Sequence, residues 1–98
     1  MTRTAVISIN SGYTVTITGD INGKITSGTA NVNTISNSGT LNIDGDMTIE
    51  NGSTSYYAIY NNSSKVLNIE NGTIKGKNIA INNYGTLTMN GGEVNTNG

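Results

Sequence analysis

The sequence predicts an all-β fold in which the chain coils into a parallel β-helix, or β-solenoid, with three short strands per rung. Three observations lead to this fold class: similar segments recur, apolar and polar residues alternate within them, and the composition suits strands joined by tight turns. A chain of 98 residues fits one domain. We therefore expect a single solenoid domain, or a fragment of a longer one, over residues 1–98. Its repeats should lie near 7–31, 32–55, 56–77 and 78–98.

The repeat is clearest in two segments, NSGTLNIDGDMTI at 37–49 and NNYGTLTMNGGEV at 82–94. Aligning the copies on a central apolar pair superimposes four residues at spacings of 26, 26 and 20, namely Val15, Leu41, Leu67 and Leu87. Periods of this size are typical of solenoids, so we expect about four rungs of 20–26 residues. The copy from Ile59 carries two extra residues before its apolar pair. The copy that we align from Ile9 has Ser11 where the others have Asn.

Each repeat should form short strands, because its apolar residues recur at every second position rather than at helical spacing. The segments TLNI, VLNI and TLTM each point two apolar side chains inward. Stacked rungs place equal positions above one another at about 4.8 Å, so we expect Leu41, Leu67 and Leu87 in a single file. Asn37, Asn61 or Asn62, and Asn83 should form a column that exchanges amide hydrogen bonds. The Asn-Gly pairs at 51–52, 71–72 and 90–91 should supply positive φ angles at the corners.

The composition excludes several classes of function. A formal net charge of −1 without a basic run is unlike a nucleic-acid-binding protein, and no segment is apolar over the length of a membrane span. The chain has no His and no Cys, which excludes Ser-His and Cys-His catalysis within it. We expect no catalytic residue and no cofactor. The N-terminus MTRTAVISIN lacks the apolar run of a signal peptide, so an extracellular location would require that such a segment was removed.

The segments AIYNNSSKVLNIENGTIKG and AINNYGTLTMNGGEV resemble the repeats of bacterial right-handed parallel β-helix surface proteins. These adhesin-like proteins share the architecture of the pectate-lyase-like superfamily. The resemblance covers the chain from about residue 7 onward, and the matching positions are structural. It implies a non-catalytic module of an extracellular or cell-surface stalk, or of a virion fibre. The alternative that it implies is a carbohydrate-binding or polysaccharide-degrading fragment, similar to a phage tailspike or a lyase.

Two groups of side chains are candidate sites. The alignment places four carboxylates at one corner, those of Asp20, Asp44, Asp46 and Glu70. Such carboxylates either point into water, or hold a Ca²⁺ ion, or form a carboxylate pair about 5 Å apart of the kind that retaining glycosidases use. Tyr60 and Tyr84 come from adjacent copies and either contact a sugar or cover the flank of the insertion.

The two ends of the stack should leave strand edges unpaired, which solenoids usually cover with capping segments. The C-terminal sequence GGEVNTNG offers no amphipathic cap. The chain is therefore either a piece of a longer stalk or a subunit that stacks head to tail. We expect its partner to be a second copy, with a polysaccharide as the alternative, and neither nucleic acid nor an inserted membrane segment.

Overall fold

A computed structural model describes residues 5–96, and these residues form twelve short β-strands and no helix. The strands are β1 (Ala5–Ile9), β2 (Thr14–Ile17), β3 (Lys24–Thr26), β4 (Asn33–Asn37), β5 (Thr40–Ile43), β6 (Thr48–Asn51), β7 (Tyr57–Asn61), β8 (Val66–Ile69), β9 (Thr73–Gly76), β10 (Ile79–Asn83), β11 (Thr86–Met89) and β12 (Glu93–Thr96). Three consecutive strands make one turn of the chain, so the described residues form four turns.

Each turn contributes one strand to each of three parallel sheets. The first sheet has the order β1-β4-β7-β10, the second β2-β5-β8-β11 and the third β3-β6-β9-β12. All pairings are parallel and join neighbouring turns. The predicted fold class, a β-solenoid of about four turns with three strands per turn, is confirmed.

The core is a set of apolar columns that run along the axis of the stack. Leu41 pairs with Leu67 and Leu67 with Leu87, so the predicted single file is confirmed. Parallel columns hold Ile in the second and third turns of every sheet, and these side chains are completely buried. Each turn alone buries only a few such residues, so the packing of one turn on the next supplies most of the apolar burial.

The predicted alignment of the first turn is wrong by two residues. Ile7, and not Ile9, pairs with Ile35, and Ile9 lies in the Asn column opposite Asn37. The reason is an insertion of Ser11 and Gly12 at the first corner. Ile7 and Ile9 both match the start of the repeat pattern, so only the backbone pairing distinguishes them.

The corner between the first and second strands carries the same two-residue insertion in the first turn and in the third turn. The Asn62 N–H donates to the Asn37 carbonyl at 3.0 Å, and the Val66 N–H donates to the Gly39 carbonyl at 3.4 Å. Residues 63 and 64 therefore loop out between positions that stay in register. Ser64 has a φ of 66°, which lets the loop return to the column.

The predicted Asn column is confirmed, with Asn61 rather than Asn62 as its middle member. The Asn37 amide donates to Asn61 Oδ1 at 2.8 Å, and the Asn61 amide donates to Asn83 Oδ1 at 2.8 Å. Asn37 and Asn61 are completely buried, whereas Asn83 lies exposed at the end of the stack. The column thus links three turns through side chains in addition to the backbone ladder.

The prediction for the three Asn-Gly pairs is right at one of them. Gly72 has a φ of 108°, whereas Gly52 and Gly91 are not in the positive-φ region. The positive angle of the fourth turn falls instead on the next residue, Gly92, with a φ of 80°. In the last two turns, the corner between the second and third strands therefore has its positive φ at the glycine immediately before the third strand, Gly72 or Gly92.

Candidate interaction surfaces

The four acidic residues that the sequence groups at one corner do follow the columns of the stack. The Asp44 N–H donates to the Ile17 carbonyl at 2.9 Å and the Glu70 N–H to the Ile43 carbonyl at 2.8 Å, so the two acids occupy equal positions in adjacent turns. The Asp46 N–H donates to the Gly19 carbonyl at 3.1 Å, which places Asp46 next to Asp20. All four side chains are exposed.

Three of these carboxylates bond to amide groups of the chain itself. Asp20 Oδ1 accepts the Asn22 backbone N–H at 3.0 Å, and Asp44 Oδ1 accepts the Asn71 side-chain amide at 3.0 Å. Both oxygens of Glu70 accept from the Asn90 amide, at 3.0 and 3.2 Å. Among residues 5–96 no three His, Cys, Asp or Glu side chains come close enough together to hold a metal ion. A cation at this corner, Ca²⁺ included, stays a prediction.

Tyr60 of β7 lies against Tyr84, which belongs to the corner after β10, and Tyr57 joins them. The Tyr60 and Tyr84 rings are 5.7 Å apart at 72°, and the Tyr57 and Tyr60 rings are 6.1 Å apart at 19°. Tyr57 and Tyr60 reach the same face because Ala58 and Ile59 are both buried, which interrupts the in-out alternation of β7. Edge-to-face pairs of this kind stabilise by about 0.5–1.5 kcal/mol beyond their burial.

This arrangement is compatible with both roles considered for the tyrosines. The rings pack on one another and cover the flank of the third turn, as a structural role requires. Tyr84 is nevertheless 61% exposed and presents ring surface to solvent. Because the Tyr60 and Tyr84 rings are nearly perpendicular, they do not form one flat platform for a sugar. Sugar contact at Tyr60 and Tyr84 stays a prediction.

The two end faces of the described stack consist of strands that have a neighbour on one side only. We call the surface of β1, β2 and β3 the head face and the surface of β10, β11 and β12 the tail face. Each of these strands pairs on one side only within residues 5–96. The tail face is apolar: a hollow of about 550 Å³ is lined by Ile79, Ile81, Leu87, Met89 and Val94, together with polar neighbours.

The apolar residues of the tail face belong to columns that are fully buried inside the stack. Leu87 is 37% and Met89 42% exposed, whereas Leu67 and Ile69 directly beneath them are 0% exposed. Val94 is 38% exposed above the buried Ile74. A further turn on this face would therefore bury these side chains as the interior turns do.

Charged side chains on the third sheet also follow a column, which the sequence reading missed. Lys24 pairs with Thr48, Thr48 with Thr73 and Thr73 with Glu93, so one column begins and ends with opposite charges. Lys24 also contacts Glu50 of the next turn, with 3.4 Å between Nζ and Oε1. Aligning GKIT at 23–26 with GEVN at 92–95 places Lys24 at the position of Glu93, so the sequence does contain a signal for this column.

Searches against protein families, curated proteins and solved structures find no match to this chain. Within the described part of the chain, no helix has the length and hydropathy that crossing a membrane requires.

Proposed function

We propose that this chain is a non-catalytic structural module, a segment of a β-solenoid rod that serves as the stalk of a surface adhesin or as an extracellular fibre. One observation carries the proposal: within residues 5–96, three parallel sheets run in unbroken register through four turns. A rod built in this way lengthens by adding turns without a change of cross-section. Its outward side chains are mainly Thr, Asn and Ser, which suit a surface that spans distance in water.

The test is to lengthen the rod from within. Inserting a second copy of residues 33–78 after Asn78 adds two turns and creates one new contact, the copied second turn on the third, in which the same columns continue. We expect the rod to grow by about 10 Å along one axis. We also expect a higher free energy of unfolding, because two packed turns are added while the number of end faces stays at two. Small-angle X-ray scattering and urea titration measure the two quantities.

A chain that unfolds, or that adds volume without adding length, would contradict a modular rod. The matched control inserts the 46 residues of 33–78 in scrambled order at the same place. It should neither lengthen the rod nor stabilise it, because the columns are interrupted.

A second candidate function is a carbohydrate-binding or polysaccharide-degrading fragment, and the exposed ring of Tyr84 beside Tyr60 is the observation that favours it. In that case Tyr60→Ala or Asp44→Asn should abolish binding to a panel of polysaccharides while the fold is kept. The structural proposal expects no binding or cleavage that depends on these residues. It also expects the same melting temperature in EDTA and in calcium. Glycan-array binding, viscometry and thermal melts decide between the two.

A further inference from the structure

We infer that the tail face binds the head face of a second copy of this chain, and that Glu93 of one copy pairs with Lys24 of the next. This inference rests on the proposed structural role and names its partner. The two faces present equal positions of the same three sheets. A second copy that continues the stack therefore places β1 on β10, β2 on β11 and β3 on β12.

The apolar residues agree at this junction. Continuing the columns sets Ile7 of the next copy on Ile81, Val15 on Leu87, Ile17 on Met89 and Ile25 on Val94, as the registers of the four turns require. The first members of these columns pack against the core but are only partly buried. The junction therefore buries apolar surface on both copies, which is the main favourable contribution to association.

The corner between the first and second strands also agrees. The fourth turn has a two-residue corner between its first and second strands, and the first turn has a four-residue corner. The same combination occurs inside the chain, where the short corner of the second turn lies beneath the long corner of the third. At this corner the junction between copies thus repeats an arrangement that the fold already contains. At the next corner, residues 18–23 of the second copy would lie on the shorter corner 90–92, a combination that does not occur within residues 5–96.

The charges select this partner. Glu93 is the only charged residue in 79–96, and it lies in the column that begins with Lys24. In the continued stack the Lys24 ammonium of the next copy lies between Glu93 below and its own Glu50 above. Asp20 of that copy lies above residues 90–92, Asn-Gly-Gly, which carry no charge. Opposite charges facing each other across paired strands stabilise them, and like charges destabilise them.

One position of the junction does not continue its column. Ile9 of the next copy would lie on Asn83, which ends the Asn column. The mismatch leaves no polar atom without a partner, because the Asn83 amide donates to its own Gly85 carbonyl at 3.3 Å and Asn83 Oδ1 accepts the Gly85 N–H at 3.1 Å. The chain itself already contains an Ile–Asn step where Ile9 lies beneath Asn37.

The experiment uses charge reversal and sedimentation velocity over a range of concentrations. Lys24→Glu and Glu93→Lys each place like charges at the junction, so each alone should weaken end-to-end association by about 3- to 30-fold. An equimolar mixture of the two variants should associate like the wild type, because each head face then meets a tail face of opposite charge. The double variant carrying both reversals should also recover. The weakening should diminish at high salt.

Lys65→Glu and Asp44→Lys change the net charge equally on the sides of the third and second turns, and they should leave association unchanged. The double variant keeps the intramolecular change near Glu50, so its recovery separates the junction from the Lys24–Glu50 contact. A wild-type chain that stays monomeric at all concentrations overturns the inference, as does a mixture that associates no better than its components. The rod-lengthening experiment is unaffected by that result, since it needs no second copy.

Discussion

Replacing Asn61 by Asp is expected to cost about 3–5 kcal/mol, a large fraction of the stability of a domain this size. The Asn61 amide nitrogen donates to Asn83 Oδ1 at 2.8 Å, to the Lys65 carbonyl at 3.1 Å and to the Thr86 carbonyl at 3.4 Å. A carboxylate of the same size has no hydrogen to donate, so it would face three oxygens in a completely buried position. Urea titration at neutral pH measures the loss.

The dependence on pH provides a second measurement of the same effect. Burial among oxygens favours the protonated form of the introduced carboxyl, so its pKa is raised in the folded state. A carboxyl whose pKa is raised in the folded state destabilises the fold most at a pH above that pKa, where folding must bury its charged form. The deficit of the variant relative to the wild type should therefore shrink as the pH falls, because the protonated carboxyl can donate one hydrogen bond.

Asn68→Asp is the matched control for this prediction. Asn68 donates to Asn42 Oδ1 at 2.8 Å in a second amide column, but that column lies on the outer face of the stack and is half-buried. Water can replace the lost hydrogen bond there, so the cost should be below about 1 kcal/mol. Equal losses at Asn61 and Asn68 would mean that the buried inner column stabilises the fold no more than the outer column does.

The inner Asn column is also the part of the fold that the sequence predicts best. Repeats align most reliably at positions where only one type of side chain fits. A buried side chain that must both donate and accept hydrogen bonds is such a position, because few residues other than Asn can replace it. Asn37 and Asn83 therefore stand out in the sequence, as do the Leu residues that share their turns. The period of the repeat and the alternation of apolar residues then fix the fold class.

The first turn shows what the sequence pattern cannot fix. Ile7 and Ile9 are equally good matches to the repeat, and the correct choice depends on the insertion of Ser11 and Gly12 at a corner. Corner residues contribute hydrogen bonds between turns rather than a distinctive side chain, so their number is weakly encoded. The sequence pattern did not predict the column of Lys24 and Glu93 for a related reason: the uncharged Thr48 and Thr73 lie between its charged ends.

Several glycines lie where the neighbouring backbone leaves room only for hydrogen, and Gly45 is one of them. A Cβ at Gly45 would collide with the amide nitrogen of Gly19 and lie 2.7 Å from the Gly19 carbonyl oxygen. That oxygen accepts the Asp46 N–H at 3.1 Å, so the backbone cannot move away without losing a hydrogen bond between turns. Gly45→Ala should therefore lower the free energy of unfolding by about 3 kcal/mol.

Gly19 provides the control, because it lies opposite Gly45 in the neighbouring turn. The three atoms nearest to a Cβ at Gly19 all belong to the side chain of Met47, and the nearest lies at 3.1 Å, so the contact is tight but does not reach the backbone overlap met at Gly45. Gly19→Ala should cost about 1 kcal/mol or less, since part of any strain is offset by the lower entropy of the unfolded chain. Thermal melts of the two variants test the difference. If Gly45→Ala were as mild as Gly19→Ala, the first two turns would have to be able to separate freely. A solenoid whose turns separate freely would not act as a rigid rod, so this comparison also bears on the mechanical role proposed for the chain.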